Sequence, residues 1–302
     1  MIIDKSFKGL KRLENGDYVL DKIETEEDLE IDLDDRLIIT YYIEAKGYIE
    51  ARGSIEAGGS IETGDYIEAG YHIKAGESIK VGGYIEARGS IEAGGSIEAG
   101  YHIEAGRSIK AGESIKVGGY IEARGSIEAG GSIEAGYHIE AGRSIKAGES
   151  IKVGGYIEAR GSIEAGDYIE ARGSIEAGGS IEAGDYIEAR GSIEAGGSIE
   201  AGDYIEARGS IEAGGSIEAK NGILAQLEIK AGSYIKAGLK VFAGCCTWRE
   251  TKIEERQITC SKLEAKVGCG EFNLIEEIKE LTIEEAEKEL EEKYECKVKI
   301  RR

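Results

Sequence analysis

The stretch Gly83-Tyr-Ile-Glu-Ala-Arg-Gly-Ser-Ile-Glu-Ala-Gly-Gly-Ser-Ile-Glu-Ala-Gly100 states one hexapeptide three times. Ser, Tyr or His precedes Ile in such copies, Glu or Lys follows it, and Ala lies two residues after it. Isoleucine recurs at every sixth residue from Ile43 to Ile235, with Val241 in the next position. A short period repeated over most of a chain is typical of solenoids, in which each repeat contributes one short strand.

The spacing within the hexapeptide predicts which side chains face the core. Residues two apart lie on the same side of a strand, so Ile and Ala share one side and the Glu or Lys between them takes the other. We therefore expect Ile and Ala inside and Glu or Lys in solvent, with Gly at the corner because it permits the dihedrals of a tight turn. The chain contains no proline, as expected where nearly every amide pairs.

A second period gives the number of sides. An aromatic or imidazole residue precedes Ile at intervals of 18 residues, at Tyr48, Tyr66, Tyr84, His102, Tyr120, His138 and Tyr156. Eighteen residues are three hexapeptides, so the sequence predicts an all-β, three-sided parallel β-helix. Roughly 34 repeats up to Val241 make about 11 turns, or a rod of ~50 Å. Parallel crossovers are usually right-handed, which favours a right-handed coil.

The two ends depart from the repeat and predict caps. Residues 1–30 form the predicted N-terminal cap, with a hairpin around Asn15-Gly16 that would protect the first strand edge. Ile31 and Leu37 lie in phase with Ile43, so the solenoid is predicted over 31–243.

Residues 244–302 form the predicted C-terminal cap. A capping box at Thr282 to Glu285 indicates a helix over about 282–294, and a final strand is expected near 296–300. Phe242 and Trp248 are expected to close the open end of the core.

Composition limits the partners. The net charge of −21 disfavours direct binding to nucleic acid or to anionic membranes and indicates basic proteins or cations. The first residues lack a signal-peptide pattern and no apolar segment is long enough to cross a membrane, so a cytoplasmic protein is expected. The five cysteines are an odd number, which favours free thiols. Oligomerisation through the caps is left open.

Sorting the Glu or Lys position by eighteens gives three columns, one on each face. Face I carries only glutamate, at Glu50, Glu68, Glu86, Glu104, Glu122, Glu140 and Glu158. Face II alternates, at Glu56, Lys74, Glu92, Lys110, Glu128, Lys146 and Glu164. Face III alternates as well, at Glu62, Lys80, Glu98, Lys116, Glu134, Lys152 and Glu170. Opposite charges on neighbouring turns attract, so faces II and III indicate stability and solubility. Face I is either a binding face or a seam that its Tyr, Glu and corner Arg residues compensate internally; the arginines are Arg52, Arg88, Arg107, Arg124, Arg143 and Arg160.

The rule changes at Gly161, where lysine disappears and the aromatic column moves to the next face. Residues 161–219 contain ten Glu, three Asp and three Arg, a net charge of −10, whereas 43–160 contain 18 acids and 13 bases, a net charge of −5. Ten hexapeptides make roughly 16 Å of rod, so residues 161–219 carry a net charge of one per ~1.6 Å. Duplex DNA carries one per ~1.7 Å.

The repeat resembles two known families and, in principle, a third. Its aliphatic hexapeptide with three repeats per turn resembles the left-handed β-helix of hexapeptide-repeat acyltransferases, although here Ala follows Ile by two and no histidine loop interrupts the coils. The Gly-x-Ile-x-Ala phrasing resembles bactofilins, which implies a right-handed triangular helix that polymerises end to end. The acidic rod is similar in principle to pentapeptide-repeat proteins that mimic DNA.

An enzyme is not expected, because every repeated Glu has nearly the same surroundings and a catalytic carboxylate pair needs two different ones. His102 and His138 are two turns apart, roughly 10 Å, too far for one metal ion. They and His72 are interpreted as members of surface columns. The cysteines lack paired zinc-ligand spacing, so no metal and no cofactor is expected.

The sequence therefore predicts a non-enzymatic binding protein that presents a DNA-like charge surface to a basic, nucleic-acid-binding protein and inhibits it. Such an inhibitor would suit a phage or mobile element. The alternatives are a self-associating scaffold of bactofilin type and, less favoured, a passive spacer. The predicted partner-binding residues are Glu164, Asp167, Tyr168, Glu170, Glu176, Glu182, Asp185, Tyr186, Glu188, Glu194, Glu200, Asp203, Tyr204, Glu206, Glu212 and Glu218. The predicted secondary acidic and aromatic face comprises Tyr48, Glu50, Tyr66, Glu68, Tyr84, Glu86, Glu104, Tyr120, Glu122, Glu140, Tyr156 and Glu158.

Overall fold

The computed structural model describes residues 1–244, 257–260, 262–269 and 271–274, and these form an all-β parallel solenoid. Each strand of the repeat pairs in parallel with the strand 18 residues later, as Ile67–Ala69 does with Ile85–Ala87. The predicted three-sided coil of 18 residues per turn is confirmed. Face I contains 12 strands from Leu29–Ile31 to Ile229–Ala231, hence about 12 turns.

Most strands are three residues long, and they stack into three columns. The strands of face I are Ile2–Ile3, Leu29–Ile31, Ile49–Ala51, Ile67–Ala69, Ile85–Ala87, Ile103–Ala105, Ile121–Ala123, Ile139–Ala141, Ile157–Ala159, Ile175–Ala177, Ile193–Ala195, Ile211–Ala213, Ile229–Ala231, Gln257–Cys260 and Glu271–Leu274. The strands of face II are Tyr18–Leu20, Leu37–Ile39, Ile55–Ala57, Ile73–Ala75, Ile91–Ala93, Ile109–Ala111, Ile127–Ala129, Ile145–Ala147, Ile163–Ala165, Ile181–Ala183, Ile199–Ala201, Ile217–Ala219 and the start of Tyr234–Phe242. The strands of face III are Ile23–Thr25, Ile43–Ala45, Ile61–Thr63, Ile79–Val81, Ile97–Ala99, Ile115–Val117, Ile133–Ala135, Ile151–Val153, Ile169–Ala171, Ile187–Ala189, Ile205–Ala207, Ile223–Ala225 and the end of Tyr234–Phe242, which also pairs with Lys262–Cys269.

The core is built from the predicted apolar columns. Every repeat isoleucine from Ile49 to Ile235 is fully buried, and nearly all alanines two residues later are buried with them. Three turns carry valine and one carries Thr63 in the alanine position, where the Thr63 hydroxyl donates a hydrogen bond to the carbonyl of Gly47. The buried surface therefore runs as a continuous column along the rod.

The glycines of the face II corners allow close approach between turns rather than unusual dihedrals, whereas corners of faces I and III also accept arginine, as at Arg88 and Arg172. A Cβ at Gly184 would collide with the carbonyl oxygen of Gly166 on the preceding turn. Among the described glycines, positive φ occurs only at Gly9, Gly16 and Gly244, none of which is a repeat corner. The expectation that Gly supplies special dihedrals at these corners is therefore wrong, and steric fit between turns is the reason.

The N-terminal hairpin is confirmed, but one phase assignment near it is wrong. Strand Lys11–Arg12 pairs antiparallel with Tyr18–Leu20 across a turn in which Gly16 has φ of 96°. Ile31 pairs with Ala51 and so takes an alanine position rather than the predicted isoleucine position. The corner after Ile31 is two residues longer than a repeat corner, and its Leu33 is fully buried. Parallel stacking already includes Tyr18–Leu20 and Ile23–Thr25.

At the other end, Val241 and Ala243 are fully buried, whereas Phe242 points outward beside Leu224. The prediction that Phe242 closes the core is wrong, because it occupies the outward position that Glu or Lys holds elsewhere. Trp248, the predicted helix over 282–294 and the strand near 296–300 lie outside the described residues. In the part of the chain that the structure describes, no helix has the length and hydropathy needed to span a membrane.

Candidate interaction surface

Face I carries a continuous ladder of stacked rings from Tyr48 to Tyr156. Neighbouring rings lie 4.7–5.0 Å apart between centroids, and their planes differ by 7° or less. Because consecutive members come from consecutive turns, the ring spacing also measures the separation of turns. The solenoid thus fixes a row of side chains that a single strand could not hold.

Each tyrosine of this ladder donates a hydrogen bond to a glutamate of the preceding turn. The hydroxyl of Tyr66 lies 2.6 Å from Glu50 Oε1, and that of Tyr84 lies 2.5 Å from Glu68 Oε1. Tyr48, Tyr120 and Tyr156 bond in the same way to Glu30, Glu104 and Glu140. Face I is therefore a seam in which aromatic donors satisfy the glutamate column.

The corner arginines contribute less to this seam than the sequence suggested. Arg52 forms an ion pair with Asp32 at 2.7 Å. Among the described residues, the other five corner arginines have no carboxylate within 4.0 Å, and they are Arg88, Arg107, Arg124, Arg143 and Arg160. In the described part of the chain, the glutamate column of face I is therefore contacted mainly by tyrosine and histidine, and of the corner arginines only Arg52 forms an ion pair.

On faces II and III, the register confirms the alternation of Glu and Lys predicted for residues 43–160, which we call the first half. Lys110 lies in register between Glu92 and Glu128, and Lys116 lies between Glu98 and Glu134. The pair Lys146–Glu164 is close, at 2.7 Å, and Lys152–Glu170 measures 3.5 Å. These last lysines mark the boundary with the acidic half, which we define as residues 161–219.

In the acidic half, like side chains stack on like. The 18-residue sequence of 161–178 is repeated without change in 179–196 and 197–214. Glu164, Glu182 and Glu200 are therefore register neighbours on face II, and faces I and III follow the same rule. Tyr168, Tyr186 and Tyr204 stack on face III with centroids 4.9 and 5.0 Å apart.

Most acids of this half have no cationic partner. Within the residues that the structure describes, ion pairs reach the half only at its ends, from Lys146, Lys152, Lys230 and Lys236. The interior glutamates without an ion pair are Glu176, Glu182, Glu188, Glu194, Glu200 and Glu206. The predicted corner acids Asp167, Asp185 and Asp203 stack one above the other, with successive backbone amides bonded to the carbonyl of the preceding turn.

The tyrosines of the two halves differ in their hydroxyl groups. No side-chain hydrogen bond from Tyr168, Tyr186 or Tyr204 is present in the described part of the chain, in contrast to the ladder of face I. Burial is the main cause that raises the pKa of Tyr186 to about 12, with further contributions from Tyr204 and Glu170. Burial and the charge of Glu188 also raise the pKa of Glu206.

These shifts predict an alkaline loss of stability. The folded protein holds the Tyr186 proton more tightly than the unfolded chain, whose tyrosines titrate near pH ~10. The stabilisation is complete below that pH and is lost as pH rises through about 12. We expect the tyrosinate absorbance of the wild type to include a late component, to which ladder tyrosines such as Tyr156 also contribute, and Tyr186→Phe to reduce that component by one tyrosine. A hydrogen bond to Glu50 raises the pKa of Tyr66. Glu50→Gln is therefore expected to lower that pKa, so that Tyr66 ionises at lower pH than in the wild type. Identical titration curves for the wild type and both variants would contradict the assignment.

The two histidines of face I each lie against two glutamates. His102 Nε2 is 3.3 Å from Glu86 Oε1 of the preceding turn, and Glu104 follows two residues later on the same face. His138 is placed in the same way between Glu122 and Glu140. His72 lies instead on face II, where its Nδ1 accepts a hydrogen bond from the amide of Ser90.

Sequence reasoning placed the columns correctly but missed these contacts between them. A tyrosine one residue before Ile meets a glutamate one residue after Ile on the preceding turn, a separation of 16 residues. The sequence signal for this contact is therefore a Glu and a Tyr separated by 16 residues, two fewer than one turn. For the histidines, the sequence interpretation considered only a site shared by His102 and His138, whereas the structure surrounds each with its own carboxylates.

Comparison with family models, with curated proteins and with solved structures gives no match to this chain. What stands is the parallel β-solenoid with an isoleucine in every six-residue repeat.

Proposed function

We propose that this protein is a non-enzymatic binding protein whose acidic half docks into the basic groove of a nucleic-acid-binding protein and blocks it. The observation that carries the proposal is the stack of like charges in residues 161–219, whose interior glutamates form no ion pair in the described part of the chain. The predicted partner-binding residues all lie on this segment of rod. Steering by the glutamate columns would bring the partner in, because a surface of one sign raises association rates.

The charge spacing supports a nucleic-acid-like surface. One 18-residue unit of the acidic half holds three Glu, one Asp and one Arg, which is four acids against one base and a net charge of −3 per turn. The tyrosine rings set the turn spacing at 4.9 Å. The rod thus carries about one charge per 1.6 Å, close to the ~1.7 Å of duplex DNA. A groove shaped by evolution for a phosphate backbone would meet a similar linear charge here.

The first half shows that the fold does not require a uniformly acidic surface. The same backbone, with the same isoleucine core, accepts alternating Glu and Lys in register on faces II and III. Like charges in register are destabilising, so the acidic half keeps a pattern that costs stability. A functional demand on the surface explains why the less stable pattern is used.

The tyrosines of the acidic half supply contact area beside the charges. Tyr168, Tyr186 and Tyr204 are partly exposed and form a short stacked row on face III. Tyrosine is enriched in protein interfaces, where its ring provides area and its hydroxyl a hydrogen bond. The face I ladder already uses its hydroxyl groups on glutamates, which makes it the weaker candidate.

Binding to a sequence-nonspecific DNA-binding protein, with duplex DNA as competitor, tests the proposal. The variant Glu182→Lys/Glu188→Lys/Glu194→Lys places one lysine on each face of the middle acidic turn. We expect it to lose affinity by about tenfold or more at low salt and to show a shallower salt dependence, because charge pairs across an interface are removed. The wild-type chain is expected to release the partner to competing DNA.

The matched control, Glu50→Lys/Glu62→Lys/Glu68→Lys, changes the net charge equally in the first turns of the rod, away from residues 161–219. It is expected to keep near wild-type affinity. An equal loss in both variants would show that net charge alone matters and would overturn the assignment to residues 161–219. End-to-end filaments in electron micrographs would favour the scaffold function instead.

A further inference from the structure

The face I ladder holds two clusters of metal-ligating side chains in addition to its tyrosine–glutamate hydrogen bonds. The first comprises Glu86, His102 and Glu104, and one ligand atom from each lies within 4.8 Å of the others. In the second, Glu122, His138 and Glu140 meet the same limit, and His138 Nε2 lies 3.3 and 4.0 Å from the two carboxylates. Both clusters are partly buried.

The imidazole rings are held in place before any ligand binds. The His102 ring is sandwiched between Tyr84 and Tyr120, at 4.9 and 4.7 Å, with planes within 4° of parallel. His138 is sandwiched between Tyr120 and Tyr156 at 5.0 and 4.9 Å. Nε2 is therefore directed at the glutamates without the loss of ring freedom that a mobile histidine would incur.

One carboxylate of each cluster is also oriented by a neighbour. Glu104 accepts a hydrogen bond from the hydroxyl of Tyr120, and Glu140 accepts one from Tyr156. Hydrogen bonds to ligating carboxylates are a regular feature of metal sites, since they fix the ligand and tune its basicity. Glu86 lacks such a tyrosine donor because histidine replaces tyrosine on the next turn.

The ladder does not need histidine for stacking. Apart from His102 and His138, all rings of the ladder are tyrosines. Tyrosine pairs stack at the same spacing, 4.8–4.9 Å between centroids. Replacing the phenol by imidazole removes a hydroxyl donor and introduces a nitrogen that can coordinate a cation. The 36 residues 83–118 are repeated without change in 119–154, so the whole cluster is repeated with them.

We propose that each cluster binds one divalent cation of the zinc class through the histidine Nε2 and the two glutamate carboxylates. Imidazole with carboxylate suits Zn²⁺, whereas Mg²⁺ and Ca²⁺ prefer oxygen alone. Bonds of ~2.0–2.1 Å at tetrahedral angles place ligand atoms roughly 3.3 Å apart. His102 Nε2 and Glu86 Oε1 already have this separation, 3.3 Å, whereas the remaining ligand atoms, which lie within 4.8 Å of one another, would move closer together around the ion. Three protein ligands leave the fourth position for water or for a donor from a partner.

The cation would also relieve the repulsion within the column. Glu86 and Glu104 are register neighbours on adjacent turns, as are Glu122 and Glu140. A doubly charged ion between such a pair neutralises both. The clusters are two turns apart, about 10 Å, and so would bind their ions separately.

Calorimetric titration of the full chain with Zn²⁺, together with Co²⁺ as a spectroscopic probe, tests the proposal. The wild type is expected to bind two ions and to show the intense visible bands of four-coordinate cobalt, displaced by zinc. His102→Tyr and His138→Tyr insert the residue that the ladder uses elsewhere, so stacking is retained. Each single variant is expected to lose one of the two sites, and the double variant both.

His72→Gln serves as the control, because His72 lies on face II away from the clusters. It should retain both ions and the cobalt spectrum. Undiminished zinc stoichiometry in the double tyrosine variant, or absence of the cobalt bands in a folded wild type, would overturn the proposal. Circular dichroism of each variant verifies the fold, and Glu86→Gln, which spares the ladder, should weaken only the first site.

Discussion

Ile187→Ala is expected to lower the free energy of unfolding by about 2–5 kcal/mol, the range for large-to-small changes at buried sites. Ile187 is fully buried, and it stacks between Ile169 and Ile205 in the face III core column. In a solenoid each turn contacts only its neighbours, so the loss should be concentrated in the turns next to residue 187. Urea unfolding gives the magnitude, and amide hydrogen exchange gives the location.

Ile187→Val is the matched control because it keeps a β-branched side chain and removes one carbon. Its expected cost is about 0.5–1.5 kcal/mol. If Ala and Val cost the same, the isoleucine column would not be the packed core that the structure shows. Loss of exchange protection spread evenly over the whole rod would contradict the nearest-neighbour character of the fold.

The repeat made most of the fold predictable. Each isoleucine from Ile49 to Ile235 has the same surroundings, so one correct assignment of inward and outward positions applies to all of them. The 18-residue turn followed from the ladder positions, and the register Ile67↔Ile85 confirms it. Errors arose where the repeat stops, since a residue there has no other copies from which its position can be inferred.

The position of Ile31 shows why. Its spacing from Ile43 fits the period, but a corner two residues longer intervenes, and Leu33 of that corner is buried. An apolar residue in an acidic loop gives no sign that it points inward. At the other end, Phe242 has an apolar side chain typical of a core, but it occupies an outward-facing position of its strand.

The candidate surfaces were predictable as columns but not as contacts. Which residues share a face follows from the period alone. Which hydroxyl reaches which carboxylate depends on how a side chain leans toward the neighbouring turn, and that direction placed Tyr66 on Glu50. The same lean places His102 against Glu86 and creates a cluster that spacing between histidines could not reveal.

Two repeat lengths coexist on one backbone, and this connects the fold to its surfaces. Residues 83–154 are two copies of a 36-residue unit, so neighbouring turns differ: Glu meets Lys on faces II and III, and tyrosine meets histidine in the ladder. The acidic half repeats every 18 residues, so each surface residue lies beside an identical residue on the neighbouring turn. Compensation requires the two-turn unit, and a uniform acidic surface requires the one-turn unit.

Glu182→Lys/Glu188→Lys/Glu194→Lys is expected to raise the free energy of unfolding by about 1–3 kcal/mol. The three lysines convert six like-charged register neighbours into opposite-charged ones. Each such exchange is worth a few tenths of a kcal/mol on a partly exposed sheet face. Added salt should stabilise the wild type by screening repulsion and should do so less for the variant. Urea unfolding at two ionic strengths measures both effects.

The reciprocal control, Lys110→Glu/Lys116→Glu, extends the one-turn acidic pattern into the first half. It makes four opposite-charged neighbours alike, and we expect it to lower stability and to increase the stabilising effect of salt. If the acidic-half variant were less stable than the wild type, its glutamate columns would be stabilising and would need no functional explanation. If it is more stable and yet fails to bind the basic partner, the acidic half keeps its repulsion because binding requires it.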